Sequence, residues 1–156
     1  MDNDSLIRQL KPGEEIPYDL LLLADENIAA IDNYIHASEI YVYEKGDNIV
    51  AVYVLTHIDK DTAEIKNIAV NTSFQGKGIG SLLLEDATRT ATEKGFKFLI
   101  VGTPDIASRQ IKLYEKNGFI KYGVKKDFFV LNYPKPIFEN GKQLRDMVML
   151  KKPLRC

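Results

Sequence analysis

Apolar residues recur at helical spacing in three stretches of the chain. Within each stretch they stand three or four residues apart, so that they share one face of a helix. A proline precedes the first stretch and a glycine follows the second, which favours a helix start and a helix end there. The stretches are residues 18–35, expected to form two short helices, 78–94 and 107–117.

Short apolar runs between turn residues predict seven strands. They are residues 5–10, 40–43, 49–55, 63–70, 98–101, 119–124 and 147–150. The Lys-Gly-Asp-Asn turn at 45–48 indicates a hairpin, and the almost wholly apolar run 98–101 is typical of a strand buried on both faces. The order of elements predicts an α/β fold with a mixed sheet, antiparallel hairpins first and strand–helix–strand crossovers later. Residues 127–146 are expected to form a long functional loop.

Composition narrows the class of protein. A chain of 156 residues, 45% hydrophobic and 28% charged, fits one globular domain spanning 1–156. The lone cysteine, Cys156, excludes a disulfide scaffold, and two histidines are too few to suggest a metal site. The apolar run 20–24 is too short to span a membrane, so we expect a cytoplasmic protein.

Charge is distributed unevenly along the chain. Residues 1–41 carry nine acids and two bases, a net charge of −7, whereas 42–156 carry 13 acids and 19 bases, a net of +6. Such a split either sorts oppositely charged partners or reflects an uneven solvated surface. The bases of the second half are scattered and interrupted by acids, which argues against nucleic-acid binding.

Residues 75–81, Gln-Gly-Lys-Gly-Ile-Gly-Ser, form the most informative segment. Glycines let a ligand approach the backbone, and the amides at the start of the following helix attract anions, so we predict a phosphate or pyrophosphate site. A simple glycine-rich turn is the alternative. The spacing fits neither a Walker loop, which would need glycine at Asn71 and Ser or Thr at Gly78, nor the G-x-G-x-x-G fingerprint.

Three segments together resemble the GCN5-related N-acetyltransferase (GNAT) superfamily. Gln75-x-x-Gly78-x-Gly80 is similar to its Q/R-x-x-G-x-G/A motif, AEIKNIAV at 63–70 to its fourth strand, and LYEKNGF at 113–119 to its LYEKxGF segment. The segments occur in the family's order and at its usual spacing. The resemblance implies the GNAT fold: about seven mostly antiparallel, twisted strands, splayed between the fourth and fifth and flanked by about four helices.

The resemblance also implies that acetyl-CoA is the co-substrate and lies where the fourth and fifth strands splay. Backbone groups of Ile68, Ala69 and Val70 would hold its pantetheine and thioester. The pyrophosphate would bind the loop and helix start, namely Gln75, Gly76, Lys77, Gly78, Ile79, Gly80 and Ser81. The Lys77 side chain either adds charge there or is solvated. The resemblance implies no metal.

The implied reaction is acetyl transfer to a primary amine by direct attack on the thioester. An alkylamine has a pKa of roughly 10 and arrives protonated, so a proton acceptor is needed. By resemblance Glu64 is the base, and the alternative is a surface glutamate paired with a neighbour such as Lys66. Tyr114 aligns with the family's tyrosine general acid, and the alternative is a core tyrosine. A CoA-binding module without transferase activity is the competing function.

In the family, the first two helices and the last long loop form the acceptor side of the cleft. Here those helices fall in the acidic first half, and the loop is rich in aromatics, a combination that suits a cation. We therefore expect a cationic small molecule or a basic peptide as acceptor, and a homodimer, since family members often dimerise. The residues concerned are Glu14, Glu15, Asp19, Asp25, Glu26 and Asp32 in the first half and Phe128, Phe129, Tyr133, Phe138 and Glu139 in the loop.

Overall fold

A computed structural model describes residues 5–155, so that Cys156 lies outside the described residues. Within that range the strands are β1 Ser5–Gln9, β2 Glu39–Lys45, β3 Asn48–His57, β4 Thr62–Val70, β5 Phe98–Pro104, β6 Ile120–Lys125, β7 Phe138–Glu139, β8 Lys142–Gln143 and β9 Met147–Pro153. The helices are α1 Tyr18–Ala24, α2 Ile28–Ile35, α3 Ile79–Glu93, α4 Ser108–Lys116 and α5 Phe128–Leu131.

Seven strands form one mixed sheet in the order β1-β2-β3-β4-β5-β9-β6. Neighbouring strands run antiparallel except β4 and β5, which are parallel and are joined by the crossover helix α3. The predicted order of elements is therefore confirmed, including the two short helices in 18–35 and the hairpin around residues 45–48.

Helices cover both faces of the sheet, and the interior strand β3 contributes apolar side chains to both of them. Tyr53 and Leu55 point into a core shared with α3, whereas Val52 and Val54 point into a second core beneath α1 and α2. β1 and β6 are the two edge strands, and β6 is exposed along its whole length. The two cores meet the same sheet from opposite sides, so a cleft that opens between strands is walled by helices on each side.

The segment 127–146 is more ordered than a plain loop. It contains the one-turn helix α5 and the two-residue strands β7 and β8, which pair with each other. Long-range contacts hold this segment: the Phe129 N–H donates to the Arg145 carbonyl at 3.0 Å, and the Asp127 N–H donates to Asp146 Oδ1 at 2.8 Å. Elements this short have no sequence period, so the hydrophobic pattern could not predict them.

Candidate active site

A cleft opens where β4 and β5 separate. The two strands pair only from Thr62 opposite Phe98 to Ile65 opposite Val101, although both continue beyond that point. At the same place β4 has a bulge at Lys66, since Val54 pairs with Asn67 and the next residue of β3 pairs with Ile65. The result is a cavity of about 620 Å³ between the two strands, bordered by α1, α3, α4 and the segment 127–146.

The ladder to β3 determines which backbone groups of β4 face the cleft. The Asn71 N–H donates to the Val50 carbonyl at 2.8 Å, and alternate residues of an antiparallel strand bond to the same neighbour. Ala69 therefore bonds toward β3, whereas Ile68 and Val70 direct their N–H and C=O groups toward β5. The Val70 carbonyl accepts a hydrogen bond from Gln75 Nε2 at 3.1 Å. Ile68, Ala69 and Val70 all line the cavity.

The glycine-rich segment leads into α3 beside the same cavity. Gly76 and Gly78 have φ angles of +76° and +82°, and a Cβ built on either would meet no atom within 4 Å. Gly78 is the N-cap of α3 and supplies no capping side chain. The first helical bond joins the Leu82 N–H to the Gly78 carbonyl, so the preceding amides, those of Ile79, Gly80 and Ser81, are free to meet an anion.

Most of the predicted loop residues line the cavity. They are Gln75, Gly76, Gly78, Ile79, Gly80 and Ser81. Lys77 is not in the lining, and its Nζ lies 5.4 Å from the centre of the Phe74 ring. A Cβ on Gly80 would lie 3.2 Å from Leu113 Cδ2, so glycine there permits the close approach of α3 and α4.

Tyr114 lines the cavity from α4 and is only 4% exposed. Its ring contacts that of Phe119 edge to face, with ring centres 5.9 Å apart. Burial raises the pKa of the Tyr114 hydroxyl, which keeps that hydroxyl protonated and able to donate.

Glu64 lies outside the cavity lining. It is buried, at 6% exposure, two residues before the bulge, and its Oε1 lies 3.2 Å from Lys66 Nζ. Lys66 itself lines the cavity. The ion pair that the sequence left as an alternative is thus present, and a proton could reach Glu64 from the cleft only through an intervening group such as water.

Of the acidic and aromatic residues expected on the acceptor side, five line the cavity: Asp25, Glu26, Phe129, Tyr133 and Glu139. Phe129 and Tyr133 stack on each other at 5.9 Å. The other acids lie elsewhere, since Glu14 pairs with Arg8 at 2.7 Å and Asp32 accepts from the Tyr18 hydroxyl at 2.7 Å. Fewer acids and aromatic residues therefore line the cavity than the sequence indicated.

Asp25 is at the centre of this group. Its carboxylate accepts hydrogen bonds from the Tyr133 hydroxyl at 2.9 Å and the Tyr34 hydroxyl at 3.4 Å. Burial raises the pKa of the Asp25 carboxyl, and the two tyrosines and the Asn27 amide only partly oppose that rise. Burial also raises the pKa of Tyr34 and Tyr133, so both hydroxyls remain donors.

The other side of the cleft is basic. Arg109, Lys112 and Lys116 line it from α4, and Lys66 also lines the cavity, from the bulge beside Asn67. Sequence reasoning missed the three residues of α4, although the repeat of Lys112 and Lys116 one helical turn apart was a visible signal. The charge split along the chain thus becomes a charge split across one cavity.

Comparison with known proteins places the chain in a family. A model of the Acetyltransferase (GNAT) family matches residues 6–119. The chain is 44% identical over 145 residues to the uncharacterised N-acetyltransferase YvbK of Bacillus subtilis, covering 91% of this chain and 94% of YvbK. It belongs to the GNAT acetyltransferase family.

Solved structures agree with this assignment. The crystal structure of a GNAT family acetyltransferase from Elizabethkingia anophelis with acetyl-CoA bound is 42% identical, with a TM-score of 0.94 over 98% of this chain and 100% of that one. A Bacillus subtilis acetyltransferase in complex with CoA is 40% identical, with a TM-score of 0.89 over 97% of this chain and 99% of that one. The GNAT fold implied by the three sequence segments is confirmed.

Two further findings concern residues 5–155 only. None of the helices in that range is long and apolar enough to cross a membrane. The same residues contain no group of three or more His, Cys, Asp or Glu side chains arranged to hold a metal ion.

Proposed function

We propose that this chain transfers the acetyl group of acetyl-CoA to a primary amine carried by a cationic small molecule or a basic peptide. The observation that carries the proposal is the cavity between β4 and β5, which has free backbone amides and basic side chains on one side. Carboxylates and stacked aromatic rings lie on the other side. Acyl transfer needs one region for an anionic acetyl donor and another for the acceptor. The side with amides and bases suits the donor, and the side with carboxylates and aromatic rings suits a cationic acceptor.

The residues present fit acetyl-CoA. The uncapped start of α3 offers the amides of residues 79–81 to a pyrophosphate, and the positive φ of Gly76 and Gly78 keeps side chains out of that approach. The groups of Ile68 and Val70 that face away from β3 suit an extended amide chain lying along β4. Lys112 and Lys116 would contribute charge along the same side.

The proton balance assigns roles to two side chains. An ammonium must lose two protons to become an amide, and one of them ends on the sulfur of CoA while the other is released. We assign the donation to sulfur to Tyr114, whose buried hydroxyl lines the cavity. The amine proton that is not released then replaces the proton that Tyr114 has given to the sulfur. Glu64 is our candidate for the proton acceptor, working through water because it lies outside the cavity lining and pairs with Lys66.

A cation is the acceptor class that the acidic side favours. Asp25, Glu26 and Glu139 attract positive charge, and the stacked pair Phe129 and Tyr133 offers ring faces to a cation. The binding of an acidic acceptor would place like charges together in a partly desolvated cavity, which is unfavourable.

The test is thiol release from acetyl-CoA, measured with and without a panel of primary amines. Transfer predicts release that depends on the amine, whereas a CoA-binding module predicts CoA binding with no release. Tyr114→Phe should lower release by about 10²-fold while CoA affinity is kept. Tyr43→Phe is the matched control, since Tyr43 is also buried but lies outside the cavity lining. Equal loss in the two variants would remove the donor role from Tyr114.

A further inference from the structure

Asn67 is a buried polar residue in the middle of an otherwise mostly apolar strand. It follows the bulge in β4, is 4% exposed and lines the cavity. Its Nδ2 donates to the Leu21 carbonyl at 3.0 Å and to the Tyr34 hydroxyl at 3.1 Å. A carbonyl can only accept, so the contact with Leu21 establishes which end of the carboxamide is nitrogen. Oδ1 is therefore the end that α1 and α2 leave unused.

No donor among residues 5–155 reaches Asn67 Oδ1. A buried acceptor without a protein partner destabilises a fold unless a ligand, a water molecule or an ion supplies the donor. In the same part of the chain the other buried side-chain atom of this kind is Ser5 Oγ. Ser5 lies on the edge strand β1 and outside the cavity lining, so Asn67 is the instance that coincides with the cleft.

A second acceptor lies beside it. The Tyr34 hydroxyl that receives the Asn67 Nδ2–H is also bonded to Asp25 Oδ2, so one hydroxyl joins the two side chains. Asp25 Oδ1 is bonded in turn to the Tyr133 hydroxyl. Asn67 and Asp25 are thus linked through one hydroxyl, and both residues line the cavity near the point where β4 and β5 separate.

We propose that Asn67 Oδ1 and the Asp25 carboxylate each accept one N–H of the acceptor's amino group and thereby select primary over secondary amines. This inference rests on the proposed function and specifies how the acceptor is recognised. A neutral primary amine has two N–H groups and one lone pair. Two acceptors engage both N–H groups and leave the lone pair free to bond to the acetyl carbon as the carbon–sulfur bond breaks. The protons follow the balance given above.

A secondary amine has a single N–H, so its binding leaves one of the two buried acceptors unpaired. Sites that are built to hydrogen-bond a substrate group discriminate strongly against analogues that lack it. We expect the wild-type protein to prefer a primary amine over its N-methyl counterpart by about 10- to 100-fold in kcat/KM.

The experiment compares three matched pairs, namely putrescine, tyramine and benzylamine, each with its N-methylated form, by thiol release at saturating acetyl-CoA. Asn67→Leu preserves side-chain size and removes Oδ1, so the preference should fall by about tenfold. Tyr34→Phe is the matched control: it removes the hydroxyl that joins Asn67 to Asp25 but retains both acceptor atoms, so it should keep the preference within about twofold. Asp25→Ala tests the second acceptor independently and should also reduce the preference.

The readout is a ratio, which a purely structural role would not change. If Asn67 only ties α1 to β4, Asn67→Leu will slow both members of each pair equally, and that result overturns the inference while the transferase proposal stands. A preference for primary amines that both Asp25→Ala and Asn67→Leu leave intact also overturns the inference. If Asn67→Leu does not fold, the result with Asp25→Ala decides alone. Absence of thiol release with every amine in the wild-type protein overturns the proposed function and this inference together.

Discussion

Asp25 combines a charge that the proposed function needs with an environment that disfavours that charge. Tyr133 and Tyr34 donate hydrogen bonds to its carboxylate, yet burial raises the pKa of that carboxyl. The folded chain therefore binds the proton more tightly than the unfolded chain does. This carboxyl favours folding below its unfolded pKa, and that contribution is lost as the pH rises through the folded pKa.

Asp25→Asn removes the titration and so predicts a specific change with pH. The difference in unfolding free energy, wild type minus variant, should decrease as the pH rises above about 4, the usual pKa of an aspartate, because only the wild-type side chain ionises. Denaturant unfolding of both proteins at each pH measures the difference. A difference that grows with pH would show that the hydrogen bonds outweigh burial at this carboxyl.

Glu64 is the residue whose role depends most on resemblance, and its ion pair offers a matched control. Glu64→Gln should lower turnover, most strongly at low pH where the amine is most protonated, with CoA affinity nearly unchanged. Lys66→Met breaks the same ion pair but keeps the carboxylate. We expect it to retain more activity than Glu64→Gln across a pH–rate profile. Wild-type rates for Glu64→Gln at every pH would assign proton removal to another group or to water.

Some residues of the candidate site could be predicted from the sequence and others could not. Most of the predicted cofactor-site residues line one cavity. Many of them belong to the glycine-rich segment before α3, whose backbone geometry is determined by residues that are close together in sequence. Asp25 was expected on the acceptor side, but Asn67 and its link to Asp25 were not predicted, since that link depends on α1 packing against β4, a contact between residues far apart in sequence. An asparagine among the apolar residues of 63–70 was the available signal.

At the scale of elements, the start of α3 is the feature with the clearest test. Gly78 and Gly95 stand at opposite ends of that helix with φ angles of +82° and +89°, and a Cβ on either would meet no protein atom within 4 Å. Alanine at either position should cost about 1–2 kcal/mol of stability because of the positive φ. Only at Gly78 would the added methyl group lie beside the cavity.

Gly78→Ala should therefore weaken CoA binding about tenfold or more, whereas Gly95→Ala, equally strained, should leave it unchanged. Isothermal titration with CoA measures both variants. Equal affinities for CoA in the two proteins would remove the phosphate role from the start of α3.

The long elements were predictable because their apolar residues repeat over several turns or over a whole strand. The helix at 78–94 and the hairpin around 45–48 needed no tertiary information. The short elements α5, β7 and β8 were not predictable, since contacts such as that between the Phe129 N–H and the Arg145 carbonyl hold them in place. The bulge at Lys66 has no signal in the sequence, because nothing in the alternation of residues 63–70 marks it.

At the scale of the whole molecule, the uneven charge of the chain becomes a polarised cleft. The acids are Asp25 and Glu26, which follow α1, and Glu139, and the bases come from α4 and from Lys66. The sequence showed the imbalance between the two halves, but only the fold reveals that both signs reach the same cavity.

This polarity predicts opposite partners for the two sides and a dependence on salt. The apparent KM of a cationic acceptor should rise as salt increases from about 0.05 to about 0.5 M, because the Debye length shrinks across that range. The KM of a neutral hydroxylamine-type acceptor of the same size should change little. Parallel changes for the cationic and the neutral acceptor would indicate that Asp25 and Glu26 do not contribute to recognition.

The central claim is N-acetylation of a cationic primary amine in the cleft between β4 and β5. It is tested most directly by competition: the protein and acetyl-CoA are incubated with an equimolar mixture of a cationic, a neutral and an anionic primary amine and an alcohol of similar size. Mass spectrometry of the products gives the relative kcat/KM values in one measurement. The account predicts that the acetyl group is found predominantly on the nitrogen of the cationic amine. Acetylation mainly of the anionic amine, or of the alcohol oxygen, would contradict it.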